Sequence, residues 1–241
     1  MDNEIISLWE GSLQINNIFW DHNPHKSVSI SSQELAKIEH NWKNQKKKYP
    51  NLYDGTILLL DEFIFEKNNN RIRIKTQNLR FSILNYFVQN KMTLPETYGS
   101  LGFQVIIKTL NNTYLLLGKR SHLSEYKPLY WTVPGGMLEE KDVKHPFIEA
   151  VIRELSEEIN LPININSFNL IAILPEISGN GIVLLLKAFV TNDINISKHV
   201  SGNEEWEDHI LYWISEKDLV NLNLERSMEG LRYLIQKLSL K

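Results

Sequence analysis

The sequence predicts an α/β protein in two stretches: a β-rich N-terminal extension over residues 1–98 and a mixed α/β domain over 99–241. Short apolar runs bounded by Asn, Asp and Gly recur along the chain, and three segments carry apolar residues at helical spacing. Between the two halves, Leu94-Pro95-Glu96-Thr97-Tyr98-Gly99 breaks both patterns.

Ile5 to Trp9 and Leu13 to Trp20, split by Gly11-Ser12, read as a pair of strands. Ser31-Ser32-Gln33-Glu34 has the form of a capping box and opens a helix with Leu35, Ile38 and Trp42 on one face, ending near Tyr49-Pro50. Lys46, Lys47 and Lys48 fall in its last turn. Cations there complement the helix dipole, so a solvated helix end is a simpler reading than a phosphate site. Thr56 to Glu66 and Arg71 to Lys75 read as strands joined at Asn68-Asn69-Asn70, and aromatic-rich Asn78 to Asn90 fits a helix or an irregular packed segment.

Past the break, Phe103 to Lys108 and Tyr114 to Leu117 flank Asn111-Asn112 as a hairpin. A loop from Lys119 to Tyr130 leads into Trp131-Thr132-Val133-Pro134-Gly135-Gly136. Pro146 to Ile159 has helical spacing, with Pro near the first turn where its missing N–H costs nothing. Leu170 to Leu174, Gly181 to Val190 and Ile210 to Ile214 read as strands. Glu225 to Leu238 closes the chain as an amphipathic helix bearing Met228, Leu231, Leu234, Ile235 and Leu238.

Composition narrows the function. With 42% hydrophobic and 23% charged residues the chain is an ordinary globular one. Having no cysteine, it excludes disulfides, thiolate zinc sites, Fe–S clusters and Cys nucleophiles, and fits a reducing cytoplasm. Any metal is therefore held by carboxylate, imidazole or carbonyl. The net charge of −3 gives no overall attraction to nucleic acid. No run of about 18 apolar residues suits a membrane span, and Met-Asp-Asn-Glu is acidic where a secretory signal is basic. A cytoplasmic protein with neither a nucleic-acid nor a membrane partner is expected. Among the histidines no pair has the spacing of a metal-ligand set.

The stretch that carries chemistry is Arg153-Glu154-Leu155-Ser156-Glu157-Glu158-Ile159-Asn160-Leu161. At about 100° per residue, Glu157 and Glu158 lie about 60° and 40° to either side of Glu154. Ile148, Val151, Ile152, Leu155 and Ile159 form an adjoining apolar face. Carboxylates three and four residues apart repel. Three on one face, without a thiolate, suit a hard divalent ion such as Mg²⁺ or Mn²⁺. Taken alone, a solvated acidic helix accounts for them as well.

The context of this stretch resembles the signature box of the Nudix hydrolases, G-x5-E-x7-R-E-U-x-E-E-x-G-U with U bulky and aliphatic. Gly136, Arg153, Glu154, Leu155, Glu157, Glu158 and Leu161 occupy their places, introduced by Trp131 to Gly135. The resemblance implies an α/β/α sandwich with a mixed sheet. It also implies a pyrophosphatase in which Gly135 (by its carbonyl), Glu154, Glu157 and Glu158 ligate Mg²⁺ or Mn²⁺ and Arg153 orients Glu157.

Two positions depart from the pattern. Sixteen residues separate Gly136 from Arg153 where the pattern has thirteen, so the first box acid falls on Asp142 counted forward or on His145 counted back, with Glu139 and Glu140 alongside. Asp142 is the preferred reading. Asn160 replaces the final Gly at a position where Asn tolerates the left-handed backbone. A general base is expected in the box or in the later segment holding Glu204, Glu205 and Glu207. Arg120, next to Lys119, and Arg80 are candidate phosphate ligands. Tyr126, Tyr130 and Phe103 are candidate stacking residues, against a core reading for each.

The N-terminal extension, the lengthened box and Glu158-Ile159-Asn160-Leu161-Pro162 are similar to the UDP-glucose and UDP-galactose pyrophosphatase branch. That similarity implies a nucleotide-sugar substrate cleaved to UMP and sugar 1-phosphate. An ADP-ribose or dinucleotide pyrophosphatase and a catalytically silent Nudix-fold binding protein are the alternatives.

Overall fold

The structure is a computed structural model and describes residues 6–26, 28–50, 52–95, 97–109, 113–120, 129–158, 168–176, 180–190, 200–201, 210–222 and 226–239; at 158, 200, 201, 210, 220 and 239 it describes only the backbone. The described strands are β1 (Trp9–Gln14), β2 (Ile18–Asn23), β3 (Thr56–Glu66), β4 (Arg71–Arg80), β5 (Gly99–Lys108), β6 (Tyr114–Lys119), β7 (Trp131–Thr132), β8 (Asn169–Pro175), β9 (Gly181–Phe189), β10 (Val200–Ser201) and β11 (Ile210–Ser215). With them are four described helices: α1 (Ser32–Lys48), α2 (Phe81–Gln89), α3 (Phe147–Glu158) and α4 (Glu229–Ser239).

All these strands join one mixed sheet whose main path runs β1-β8-β9-β5-β3-β4-β2. Pairing along it is parallel at β5/β9 and β2/β4 and antiparallel elsewhere. The strand β6 takes over from the end of β5 at Lys108↔Leu115 and carries β7 and β11.

The two ends of this path are consecutive in sequence. Seven strands about 4.8 Å apart span about 29 Å if flat. The step from Gln14 to Ile18 reaches about 14 Å at most. The sheet therefore curls until β1 and β2 come close, with the 3₁₀ turn Ile15–Asn17 crossing between them. The expectation that the two N-terminal segments pair with each other is corrected here: β1 pairs with β8 and β2 with β4. Gly11-Ser12 lies within β1, and the chain passes from β1 to β2 at Ile15–Asn17, where Ile15 and the following Ile18 are buried.

Alternation along the strands fills both faces of the curled sheet. Leu58, Leu60, Leu101, Phe103, Val105, Leu184 and Leu186 share the inner core with Leu13, Ile15, Ile18, Ile72 and Ile74. Helix α3 supplies Phe147, Ala150, Val151 and Leu155 to the same core; of the expected apolar face Val151 and Leu155 are buried there, Ile148 packs against it partly buried, Ile152 is half-buried, and Ile159 lies outside the described residues. The intervening Ile57 and Leu59 face α1 and α2 on the outside, packing with Ile38, Ile83, Leu84 and Phe87. Ile106, Leu115, Leu117 and Leu185 face α4. Covered on both sides, the central strands read as continuous apolar runs. The architecture is the expected α/β/α sandwich with a mixed sheet.

Most elements lie where the sequence puts them. Helix α1 begins at Ser31, whose Oγ accepts from the Glu34 N–H at 3.2 Å, and it ends at Tyr49. Asn70 closes the β3–β4 turn in the left-handed conformation at φ 48°. Strand β4 runs on to Arg80, and the aromatic segment after it is the helix α2. The Asn111-Asn112 turn and Asn160 lie outside the described residues. Among the described residues no helix is long and apolar enough to cross a membrane.

The break at residues 94–99 is fastened to the β8–β9 side of the sheet. Buried Asn180 accepts from the Leu94 N–H at 3.0 Å and donates to the Met92 carbonyl at 2.8 Å. Gly99, at φ 96°, makes room for the Asn180 backbone, whose carbonyl accepts from Ser100 N–H at 2.8 Å. Asn180→Ala leaves two main-chain groups without these partners and is expected to lower stability by about 2–3 kcal/mol in urea unfolding; a loss below about 0.5 kcal/mol would refute this fastening role.

Candidate active site

A break in the sheet receives the Gly-Gly segment. Val105 N–H donates to Pro134 O at 2.7 Å, Phe103 N–H to Gly136 O at 2.9 Å, Leu138 N–H to Leu101 O at 3.0 Å, and Leu58 N–H to Leu138 O at 2.8 Å. Residues 134–138 thus lie along β5 and reach β3. Close approach of backbone requires glycine at 135, and the Glu154 side chain fills the space beside 136. A side chain at 135 would strike the Phe103 carbonyl, and one at 136 would strike the Glu154 carboxylate.

Helix α3 brings Arg153, Glu154 and Glu157 to this segment. Arg153 Nη1 lies 2.5 Å from Glu154 Oε1 and donates to both Glu157 oxygens at 3.0 and 3.2 Å. Its other edge donates to Asp142, Nη2 at 3.0 and 3.2 Å and Nε at 3.3 Å. Burial pushes the Glu154 carboxyl up to about 7; Arg153 pulls against this shift and the Glu157 charge adds to it. Burial works against the Arg153 charge too, but Glu154, Asp142 and Glu157 outweigh it and hold the guanidinium still more firmly protonated. Glu157 remains exposed.

The lengthened box folds as a 3₁₀ turn, Glu140–Lys144, closed by a reciprocal cap between Glu139 and Asp142; Asp142 accepts from Glu139 N–H at 2.8 Å. Asp142 is buried and faces Arg153. Of the four residues open for the first box acid, Asp142 is therefore the one brought to the arginine. Glu139 caps the turn and pairs with Lys141 at 3.0 Å, Glu140 accepts from Asn78 at 2.8 Å, and His145 pairs with Glu149 at 3.1 Å.

The remaining candidates are scattered. Arg80 is held by Asp54 at 2.5 Å and Glu39 at 2.7 Å, joining β4 to α1. Phe103 is buried in the inner core. Arg120 and Tyr130 are half-buried and close the loop between them through Arg120 N–H to Tyr130 O at 2.9 Å. Lys119 lies over the Trp131 ring, 5.8 Å from its centre. Tyr126, Glu204, Glu205 and Glu207 lie outside the described residues, as does the side chain of Glu158. Among the described residues no three His, Asp or Glu side chains form a ready metal cage. Sequence reading missed Trp20 and Asn78, which reach the box loop from β2 and β4; no local pattern marks such long-range partners.

A curled mixed sheet holding a helix whose Arg-Glu-x-x-Glu face lies against a Gly-Gly segment is the arrangement expected from the resemblance of the box. The chain belongs to the Nudix family: the NUDIX domain model matches residues 102–237, more than half of its length. No curated protein matches the chain. Similar solved structures include the Nudix hydrolase RenU from M. smegmatis, 18% identical over 75% of this chain and 93% of that one at a TM-score of 0.40. The NUDIX domain of Shewanella oneidensis NrtR complexed with ADP ribose is 14% identical over 59% and 89%, at 0.42. A C. elegans Ap4A hydrolase is 19% identical over 58% and 96%, at 0.40.

Because the Glu154 carboxyl titrates higher in the fold than in the unfolded chain, the folded state holds the extra proton between about pH 4.5 and 7. Stability from this group is fully present below about 4.5 and is lost as pH rises through about 7. Without divalent metal, Glu154→Gln is expected to be more stable than the parent by about 2–3 kcal/mol at pH 8 and equal to it near pH 4. Urea unfolding in EDTA at the two pH values measures this, and a parent that is the more stable at pH 8 would refute it.

Proposed function

We infer that the protein hydrolyses the diphosphate bond of a nucleoside diphosphate joined to a second moiety, with a UDP-sugar as substrate. The observation that carries the reaction class is the Arg153-centred carboxylate cluster seated against Gly136. The nucleotide-sugar assignment rests on the N-terminal extension, taken as residues 1–98 before a Nudix domain over 99–241, and on the lengthened box. A chain without cysteine suits the cytoplasm.

The donor set fits a hard divalent ion. It offers oxygen donors only, and the Glu154 carboxylate is partly buried beside further negative charge, so an adjacent cation lowers its cost. Glu154 and Glu157, with Glu158 and the Gly135 carbonyl at the positions the family pattern assigns, would hold it. When bound, Mg²⁺ or Mn²⁺ neutralises the diphosphate and makes water a better nucleophile.

The chain's own residues supply positioning and proton transfer. Arg153 fixes Glu157 through both carboxylate oxygens and is itself fixed by Asp142. Water attacks one phosphorus, the anhydride P–O bond breaks, and UMP and sugar 1-phosphate leave. The water's proton passes to a carboxylate, Glu157 in the box or Glu204 or Glu205 beyond it. Arg120 and Arg80 are assigned to the substrate phosphates and Tyr126 to stacking. For Arg80 that role requires release from Asp54 and Glu39.

Glu157→Gln and Glu158→Gln are each expected to remove most Mg²⁺-dependent turnover, several kcal/mol in ΔΔG‡, while the circular dichroism spectrum is unchanged. Full turnover in both would sink the cluster's role. UDP-glucose or UDP-galactose is expected to exceed ADP-ribose at least about tenfold in kcat/KM, about 1.4 kcal/mol. Polar readout of a base discriminates strongly because a mismatch leaves buried groups unpaired. Equal rates, or a preference for ADP-ribose, would reject the nucleotide-sugar assignment and leave the reaction class standing.

A further inference from the structure

The loop that lengthens the box is gripped at both ends by the N-terminal strands. At its start, Asn78 on β4 donates through Nδ2 to Glu140 at 2.8 Å. His22 on β2 stands beside the same carboxylate; its Nδ1 lies 3.0 Å from Thr76 Oγ1, and the Glu140 charge partly opposes the effect of burial on the imidazole. At the far end, the Trp20 indole N–H on β2 donates to the His145 carbonyl at 3.1 Å. The Trp20 ring also packs edge-on against Phe147, the first residue of α3, with centres 5.2 Å apart. Phe147 in turn meets Phe103, whose N–H holds Gly136. Between these two anchors, in the middle of the 3₁₀ turn, sits Asp142 against Arg153.

We propose that Trp20 and Asn78 are positioning residues for the active centre, clamping the 3₁₀ turn so that Asp142 holds Arg153, and through it Glu154 and Glu157, in the geometry that receives a divalent cation. The three extra residues make the loop longer, and a longer loop has more conformations to lose. A charge cluster of this kind works only when its groups are held to about 0.5 Å. Among the described residues, the hydrogen-bond partners of the Glu140 carboxylate and the His145 carbonyl come from β4 and β2. The proposal rests on the metal-dependent hydrolase reading, so its test includes a measurement made without nucleotide.

Mn²⁺ binding to the full chain is followed by the electron paramagnetic resonance of the free ion. Turnover of UDP-glucose and ADP-ribose and the melting temperature are measured alongside. Asn78→Ala, Trp20→Phe and Glu140→Ala are each expected to weaken Mn²⁺ binding about fivefold to tenfold. In whichever nucleotide is hydrolysed, kcat falls about tenfold with KM within twofold. Glu140→Gln, whose amide oxygen still accepts from Asn78, is expected to stay near the parent in both. Lowered melting temperatures with parental Mn²⁺ affinity in all three weakened variants would make the clamp merely structural and overturn the proposal, as would a parent that binds no Mn²⁺. A parent that binds Mn²⁺ but cleaves neither nucleotide overturns the function reading instead, and the Mn²⁺ affinities of the variants then decide the clamp alone.

Discussion

One guanidinium organises the catalytic face. Arg153 meets Glu154 and Glu157 through one edge and Asp142 through the other, joining helix α3 to the turn before it. A lysine ammonium, a point charge on a flexible stem, could not present two such edges at once. Asp142 is buried deeply enough that its charge requires a partner, and Arg153 is that partner. Three carboxylates share a single cation, so the cluster carries excess negative charge whenever Glu154 is ionised. Burial raises that carboxyl to about 7, against the pull of Arg153, and the Glu157 charge adds to the rise.

The curled sheet places this cluster. A flat sheet covered on both faces would leave α3 on an outer layer. Here β1 and β2 bring the two ends of the sheet together, and α3 lies on the concave side with Phe147, Val151 and Leu155 buried. Its apolar stripe is fixed by that core, and the acidic stripe must then fall beside the Gly-Gly segment lodged between β3 and β5. The absence of a side chain at 136 leaves the space the Glu154 carboxylate occupies.

What was legible in the sequence was local. Ser31 capping α1, Asn70 turning β3 into β4, the apolar stripe of α3 and the proximity of Arg153 to Glu157 all follow from neighbours within about one helical turn. Asp142 was reached by counting forward from Gly136, whereas counting back from Arg153 reached His145, and only the fold shows which of them meets the arginine. The partners of β1 and β2 were not legible: two adjacent apolar segments invite a hairpin, and only the closure of the whole sheet sends them to opposite neighbours. Arg80 shows the same limit. Its ion pairs with Glu39 and Asp54, both far away in sequence, could not be read from its own neighbours.

The insertion in the box and the extension before it form a single device. Without the 3₁₀ turn, nothing in the box would reach Asn78 on β4 through a side chain such as Glu140. Without β2 and β4, the turn would lose the partners of Glu140 and the His145 carbonyl and keep its internal cap and the Asp142–Arg153 pair. Selectivity was the role that the length of the extension first implied. Its strands also meet the loop that carries Asp142 rather than standing apart from the box. A substitution in β2 or β4 therefore acts on Arg153 through two intervening contacts, which ties the chemistry of the second half of the chain to the first.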